Sequence, residues 1–399
     1  MKYLIIVPDG MSDLPQDFPE GRTPLVCANR TVMDRLADRS IVGWGETVPE
    51  GMHPGSDVAA LSIFGLQPDK YYTGRSPLEA ASLGVEIGDG VAYRCNLVTV
   101  RDGIMEDFTA GHITSEEAKE IIRTLDESLG GEGVSFHAGV SYRHAMLAPG
   151  EYVNADCVPP HDITDQKVDA HLPTGPSGEW VQGLMEQSEQ ILRDHPVNER
   201  RTSEGKRPAT QIWLWGQGKK PSLPLMKDRF GISGAVITAV ELVKGIGRVL
   251  GLEVINVPGA TGFVDTNYEG KAQAALEALR DGDFVYAHIE APDEAGHMGD
   301  AQLKQQAISD FDKRFLGTLM EGLDAEAGLQ PYRLLLLPDH PTPISVKTHV
   351  RDSVPYLLFD SNDREVKASG GFTEENVRHR SNEVIPGHRL IEKLLDSFD

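Results

Sequence analysis

Asp9, Asp293, His297, Asp339, His340 and His349 are candidate metal ligands, being of the types that can bind divalent ions, and most of them follow short apolar runs. The run Tyr3–Val7 ends in Pro8-Asp9-Gly10. Phe284–Ile289 ends in Glu290-Ala291-Pro292-Asp293-Glu294-Ala295-Gly296-His297. Arg333–Leu337 ends in Pro338-Asp339-His340, with Lys347-Thr348-His349 close behind. A mixed set of carboxylates and imidazoles suits Mn²⁺ or Zn²⁺ better than Mg²⁺ or Ca²⁺, which favour all-oxygen cages. Asp293 and His297 share a face if their turn is helical. Six candidate ligands exceed one tetrahedral site. They suit two ions about 3.5–4 Å apart, which can clamp both oxygens of a phosphoryl transfer.

A seventh residue joins them. In GMHPGSDVAALS, residues 51–62, Ser56 stands where a turn of small residues meets an apolar helical stretch. One reading is an N-cap, since Ser accepts hydrogen bonds from the free N–H groups of a first turn. The other is a nucleophile held at a helix N-terminus, which favours anions. A serine hydroxyl attacks at neutral pH only when a base or a metal lowers its pKa. Neighbouring metals would give Ser56 that help. Each residue alone has a simpler reading, since Asp after a strand is often a turn residue and a lone His is more often a satisfied polar group. The weight lies in their coincidence at equivalent strand ends.

For those ends to meet, the strands must lie parallel. Short runs rich in Ile, Val, Leu and aromatics predict buried strands at Tyr3–Val7, Gln211–Trp215, Glu253–Val257, Phe284–Ile289, Arg333–Leu337 and Tyr356–Phe359. Helical stretches alternate with them at about 30–38, 57–64, 178–194, 233–250, 268–280 and 300–322. The alternation predicts an α/β fold with a mainly parallel sheet sandwiched by helices. Ligands of such sheets bind outside the carboxyl ends of the strands.

Residues 86–175 read differently. Candidate strands Val91–Val100, Gly103–Phe108, Gly133–His137 and His144–Leu147 surround one helix, 115–129, opened by Thr114-Ser115-Glu116-Glu117, a good capping sequence. This predicts a smaller α+β domain inserted in a larger one formed by 1–85 and 176–399. Linkers rich in Pro and Gly bracket it, Gly84–Gly90 before and His171–Gly178 after.

A formal net charge of −23 argues against a nucleic-acid binder. Any phosphate ligand would need local cations or metals. No stretch approaches the ~20 apolar residues of a membrane span, and the N-terminus lacks a secretory signal. Cys27, Cys95 and Cys157 are widely spaced, as in a reduced, cytoplasmic protein. The oligomeric state is left open.

Together these stretches resemble the alkaline phosphatase superfamily, and within it the archaeal-type cofactor-independent phosphoglycerate mutases. The matching segments are IIVPDGMSD, HPGSDVA, YRCNL, AGHIT, PHDIT, IWLWGQG, PDEAGH and PDH, in order along the whole chain. The resemblance implies a metal-binding α/β domain with an inserted substrate-clamping domain. It implies two divalent ions, Mn²⁺ first, with Zn²⁺, Co²⁺ or Mg²⁺ as alternatives, and no 2,3-bisphosphoglycerate. Asp9, Ser56, Asp339 and His340 would hold one ion, and Asp293, His297 and His349 the other. Ser56 would carry the phosphoryl group between 3-phosphoglycerate and 2-phosphoglycerate. Arg94, Arg143, His112 and Lys227 are candidates for binding the substrate's phosphate and carboxylate, Arg because its guanidinium pairs with both in bidentate fashion. Domain closure would keep water from the phosphoserine.

Three other readings compete. GISGAVITAVELVKGIG and INVPGATGFVDTNYEGKA also resemble a bacterial branch proposed to act as homoserine kinases. The chain has no Walker-type loop, which favours the mutase. A metal-dependent phosphatase would use the same residues with water as acceptor. A protein that only binds phosphosugars or metals has no use for Ser56.

Overall fold

The run Lys2–Pro8 forms a strand near the centre of an eight-stranded sheet, in a computed structural model that describes residues 1–363, 365–367 and 370–396. It pairs in parallel with Phe284–Ile289 on one side and Tyr332–Leu336 on the other. The sheet order is Val384–Pro386, Ile41–Glu46, Val354–Asp360, Tyr332–Leu336, Lys2–Pro8, Phe284–Ile289, Gly234–Ile237, Glu253–Ile255. Only Val354–Asp360 runs antiparallel to its neighbours. Every residue of Phe284–Ile289 and Tyr332–Leu336 is buried, as expected for parallel strands covered on both faces.

Alternation assigns the faces. Leu4, Ile6, Val285, Ala287, Leu334 and Leu336 join one core with the helices Tyr268–Asp281, Ala301–Asp310 and Gly317–Ala325. On the other face Phe64, just past the helix Ser56–Ile63, stacks on Tyr286 at 4.2 Å. The parallel register, Pro8 opposite Ile289 and Ile6 opposite Leu336, brings the ends of three strands to one rim.

The α/β architecture is the one expected, with differences in detail. The stretch 233–250 is not one helix. It is a strand, Gly234–Ile237, and a helix, Glu241–Val249. A short apolar run such as Ala235–Ile237 cannot be told from a buried helix by periodicity. Ile41–Glu46 was not expected as a strand, because Gly43 and Gly45 dilute its apolar pattern. The stretch 300–322 contains a π-helical turn, Phe311–Leu316.

Lys304 ties the rim loops together. Its ammonium is fully buried and donates to Ser12 O at 3.0 Å, Asp13 Oδ2 at 3.0 Å and Thr342 O at 2.8 Å. The loop after Lys2–Pro8 and the loop after Tyr332–Leu336 thus hang from one cation. Lys304→Met leaves Asp13 buried without its counter-ion. The expected cost is about 3–5 kcal/mol, read as a lowered midpoint in urea unfolding.

The chain divides into two units, Met1–Tyr72 with Leu223–Asp399, and Thr73–Ser222. The second unit is wider than the expected 86–175. Its antiparallel sheet runs Ile104–Asp107, Val91–Arg101, Arg143–Ala148, Ser135–Val140, and Gln211–Lys219 also pairs with Val91–Arg101. Gln211–Trp215 therefore belongs here and not in the larger sheet. The helix Gly178–Leu192 belongs here too, burying Val181, Met185 and Leu192 in one core with Ile212 and Leu214. The Pro/Gly-rich segments 84–90 and 171–178 are internal loops, because the helix Arg75–Ser82 before the first and the strand Gln211–Lys219 after the second both belong to this unit. The helix Ser115–Leu129 begins with a capping box of Thr114 and Glu117, as its sequence indicates.

His144 makes this unit acid-sensitive. Its Nδ1 accepts the Gly139 N–H at 3.0 Å. Burial pushes the imidazole down from 6.5 to about 3. Above pH 6.5 both folded and unfolded chains hold it neutral. As pH falls from 6.5 towards 3, the unfolded chain takes up a proton that the folded one refuses, and stability is lost. Between pH 7 and pH 5 the parent should lose roughly 2 kcal/mol more than His144→Gln, at ~1.4 kcal/mol per pH unit. Urea midpoints at the two pH values check this.

Candidate active site

Seven side chains of the larger unit converge at the rim. Asp9 follows Lys2–Pro8, and Asp339 and His340 follow Tyr332–Leu336. Asp293 and His297 lie on the helix Ala291–Met298, one turn apart, so both face the same way. His349 comes from the loop beyond. The loop after Lys2–Pro8 approaches so closely that only glycine fits at residue 10. Gly10 has φ +62°, and a Cβ there would lie 2.6 Å from Asp293 Oδ1.

His340 is central. Its Nε2 is 3.1 Å from Ser56 Oγ, 3.2 Å from Asp339 Oδ2 and 3.8 Å from Asp9 Oδ1. Asp339 Oδ1 accepts the backbone N–H groups of Gly10 and His340, at 3.2 and 3.0 Å. Asp293 lies 3.2 Å from His297 Nε2 and 3.4 Å from His349 Nε2, and accepts the Thr342 hydroxyl. The two Nε2 atoms of His297 and His349 stand 3.0 Å apart. His297 Nδ1 faces Lys347 O at 3.0 Å, which turns the other ring nitrogen towards the cluster.

Ser56 opens the helix Ser56–Ile63 but does not cap it. The cap position is Gly55, and no side chain serves there. Of its two readings the N-cap is therefore excluded. Its half-buried hydroxyl is turned to His340.

The electrostatics call for cations. Burial, reinforced by Asp293 and Asp339, pushes the Asp9 carboxyl well above its ordinary value. Burial would raise Asp293 as well, but His297 and His349 hold it well below the usual range. Asp9 Oδ1 and Asp339 Oδ2 are buried with no hydrogen-bond partner among the described residues. Two groups of atoms, from Asp9, Asp339 and His340 and from Asp293, His340 and His349, lie within 4.8 Å of one another. Clustered carboxylates with idle oxygens and facing imidazole nitrogens fit divalent cations.

The second unit holds a separate group of cations. Glu79 pairs with Arg75 Nε at 2.8 Å and Arg94 Nη1 at 3.2 Å. Arg94 is buried, lies over the Trp215 ring at 4.7 Å, and keeps an Nε without a partner among the described residues. Arg143 is close enough to act on the Glu79 charge and lies against Tyr142. His161 also joins, edge-on to Trp215. Its imidazole is pushed down mainly by burial and further by the three arginines.

Arg94 and Arg143 thus fall in one cluster. His112 is exposed on a left-handed turn with no described side-chain bond to that cluster. Lys227 is exposed on Met226–Phe230, with no described bond to the carboxylate and imidazole cluster. Arg75 and His161 were missed from sequence. Arg75 and Glu79 are four apart and read as an ordinary surface pair. His161 lay within PHDIT, where the histidine itself was a usable signal.

Comparison with known proteins bears on this arrangement. Residues 37–198 match the family model described as 2,3-bisphosphoglycerate-independent phosphoglycerate mutase. The protein of that name from Methanosarcina acetivorans is 49% identical over 397 residues, covering 99% of this chain and 100% of its own. The PH0037 protein from Pyrococcus horikoshii superposes with a TM-score of 0.82 at 29% identity, covering 100% of this chain and 99% of its own. The cofactor-independent phosphoglycerate mutase of Thermoplasma acidophilum gives 0.66 at 26%, covering 99% and 98%. The two mutases among these carry that name and not that of a homoserine kinase. With near-half identity from end to end, the chain belongs to the 2,3-bisphosphoglycerate-independent phosphoglycerate mutase family.

Proposed function

We propose that this chain interconverts 3-phosphoglycerate and 2-phosphoglycerate through a phosphoserine at Ser56. The observation that carries the reading is the Ser56 hydroxyl, 3.1 Å from His340 Nε2 at the edge of a cluster of buried carboxylates and imidazoles. Asp9, Ser56, Asp339 and His340 would hold one divalent ion, and Asp293, His297 and His349 a second. Mn²⁺ suits this mixed oxygen and nitrogen set, and Zn²⁺ and Co²⁺ share its preferences. Such ions supply charge neutralisation at the phosphoryl oxygens and ease ionisation of the serine hydroxyl.

The chain's own residues do the rest. Ser56 Oγ is set beside these ligands by its place at the start of the helix Ser56–Ile63. Ser56 Oγ gives up its proton and forms a bond to phosphorus as the bond to the substrate's 3-oxygen breaks, and that oxygen takes up a proton to leave as the alcohol of glycerate. Glycerate stays bound, turns, and its 2-oxygen gives up its proton and takes the phosphoryl group from Ser56, whose oxygen is protonated again. Arg94 and Arg143, with Arg75 and His161 beside them, offer guanidinium and imidazole donors for carboxylate and phosphate. His112 and Lys227 are further candidates for those anions. Water must be kept from the phosphoserine. No helix among the described residues is long and apolar enough to cross a membrane. Its unpaired cysteines fit a reduced compartment, the cytoplasm.

Acid quenching after mixing Mn²⁺-loaded protein with 3-phosphoglycerate tests the intermediate. Peptide mass spectrometry should find phosphate on the Ser56 peptide. An unmodified Ser56 during turnover would overturn the reading.

A further inference from the structure

Behind Asp9 lies a line of buried charge that the reaction above does not use. His288, in Phe284–Ile289, is fully buried. Its Nε2 makes no hydrogen bond among the described residues but lies 3.3 Å from Asp9 Oδ2, at ion-pair distance, while its Nδ1 is 3.3 Å from both Glu290 Oε1 and Thr238 Oγ1. Glu290 Oε1 also accepts the Thr238 hydroxyl at 2.8 Å and the Ala239 N–H at 2.7 Å. Glu290 Oε2 takes the Lys271 ammonium at 2.6 Å, and that ammonium also donates to His288 O at 3.3 Å.

Such an arrangement is poorly explained by stability. A buried ion pair loses so much hydration that well-packed apolar residues often serve as well or better. Burial alone would raise the Glu290 carboxyl. Lys271 and His288 reverse this and hold it below the ordinary carboxylate range, so Glu290 stays charged. The line therefore starts at a fixed charge and ends on one oxygen of Asp9. The other, Oδ1, is turned the opposite way, 3.8 Å from His340 Nε2 and without a hydrogen-bond partner among the described residues.

We propose that His288 is a positioning residue for Asp9, set by Glu290 and Lys271, which holds Oδ2 so that Oδ1 is presented to a divalent cation. This rests on Asp9 being a metal ligand, as proposed above. Partners behind metal ligands fix ligand orientation, and their loss typically costs about 10–100-fold in metal affinity. Thr238 and Lys271 lie on other elements, so the line is built by the fold and not by local sequence.

Two variants separate the contacts. His288→Asn keeps an amide where Nδ1 faces Glu290 but is too short for Asp9. His288→Gln reaches the Nε2 position. Mn²⁺ titration of metal-free protein, followed by electron paramagnetic resonance, counts ions and gives each affinity. Metal-free unfolding midpoints report that both variants fold. The expected result is two ions in the parent and about 10–100-fold weaker binding of one of them in His288→Asn. His288→Gln should recover most of that loss. Parent-like binding of both ions by His288→Asn overturns the positioning role and leaves the metal centre standing. Equal loss in both variants also overturns it, because it marks a structural role alone. Absence of Mn²⁺ binding in the parent overturns the metal centre, and the role of His288 with it.

Discussion

Ser56→Ala lowers turnover by roughly 10⁴–10⁶-fold, the scale on which removal of an enzyme nucleophile acts. The variant loses the atom proposed to accept phosphorus, and the Thr342 hydroxyl of the cluster is already given to Asp293 and faces the far side of His340, at Nδ1. The fold should be unaffected. Ser56 does not cap its helix, since Gly55 holds that position without a side-chain bond, and Ala favours a first helical turn as well as Ser does. Loss of the Ser56 hydroxyl costs one possible ligand, so metal binding should weaken but persist. Steady-state assays with 3-phosphoglycerate, paired with Mn²⁺ titration and circular dichroism, check all three outcomes. Turnover within 10-fold of the parent would contradict the role given to Ser56, about 1.4 kcal/mol of barrier being far too little for a nucleophile.

Asp339→Asn has the second largest expected effect, and it acts both on metal affinity and on the metal-free fold. Asn keeps an oxygen where Asp339 Oδ1 accepts the Gly10 and His340 N–H groups. It removes the charge from Oδ2, which is buried without a hydrogen-bond partner among the described residues. A direct ligand should matter more than the partners behind ligands, whose loss costs about 10–100-fold. Mn²⁺ affinity is therefore expected to fall by more than ~100-fold, and activity with it. Without metal the same change should lower the unfolding midpoint. Burial would raise the Asp339 carboxyl, but His340, 3.2 Å from Oδ2, and Asp9 hold it below its ordinary value, so the folded chain favours the charge that Asn removes. Thermal unfolding with and without Mn²⁺ reads both effects. A higher midpoint in the metal-free variant would contradict the electrostatic reading of the cluster.

Much of this arrangement was legible in sequence, for a physical reason. Asp9, Asp293 and Asp339 each follow an apolar strand, and in a parallel sheet such ends share a rim. The periodicity of the strands was therefore enough to bring the residues together. The strand Gln211–Lys219 was placed in the wrong sheet, because a buried apolar run looks the same whichever partner it pairs with. That pairing, with Val91–Arg101, carries the second unit on to Ser222, and the helix Arg75–Ser82, packed on both strands, carries it back to Thr73. The line from Lys271 through Glu290 to His288 was not legible at all. His288 alternates within an apolar strand like any core residue, and Lys271 sits on a helix as surface lysines do. Their meeting depends on how the helix Tyr268–Asp281 packs on the sheet, which no local pattern records. Arg75 was missed for a related reason. Its spacing to Glu79 matches an ordinary pair on a helix surface, and only the tertiary fold sets Arg94 beside the same carboxylate.

The most direct test of the central claim is phosphorus NMR of the Mn²⁺-loaded protein with 3-phosphoglycerate and no 2,3-bisphosphoglycerate. A parallel sample holds ATP and homoserine. The expected result is a growing 2-phosphoglycerate signal in the first sample, reaching a constant ratio to 3-phosphoglycerate, and no change in the second. Inorganic phosphate alone in the first sample, or O-phosphohomoserine in the second with 3-phosphoglycerate untouched, would contradict the mutase reading.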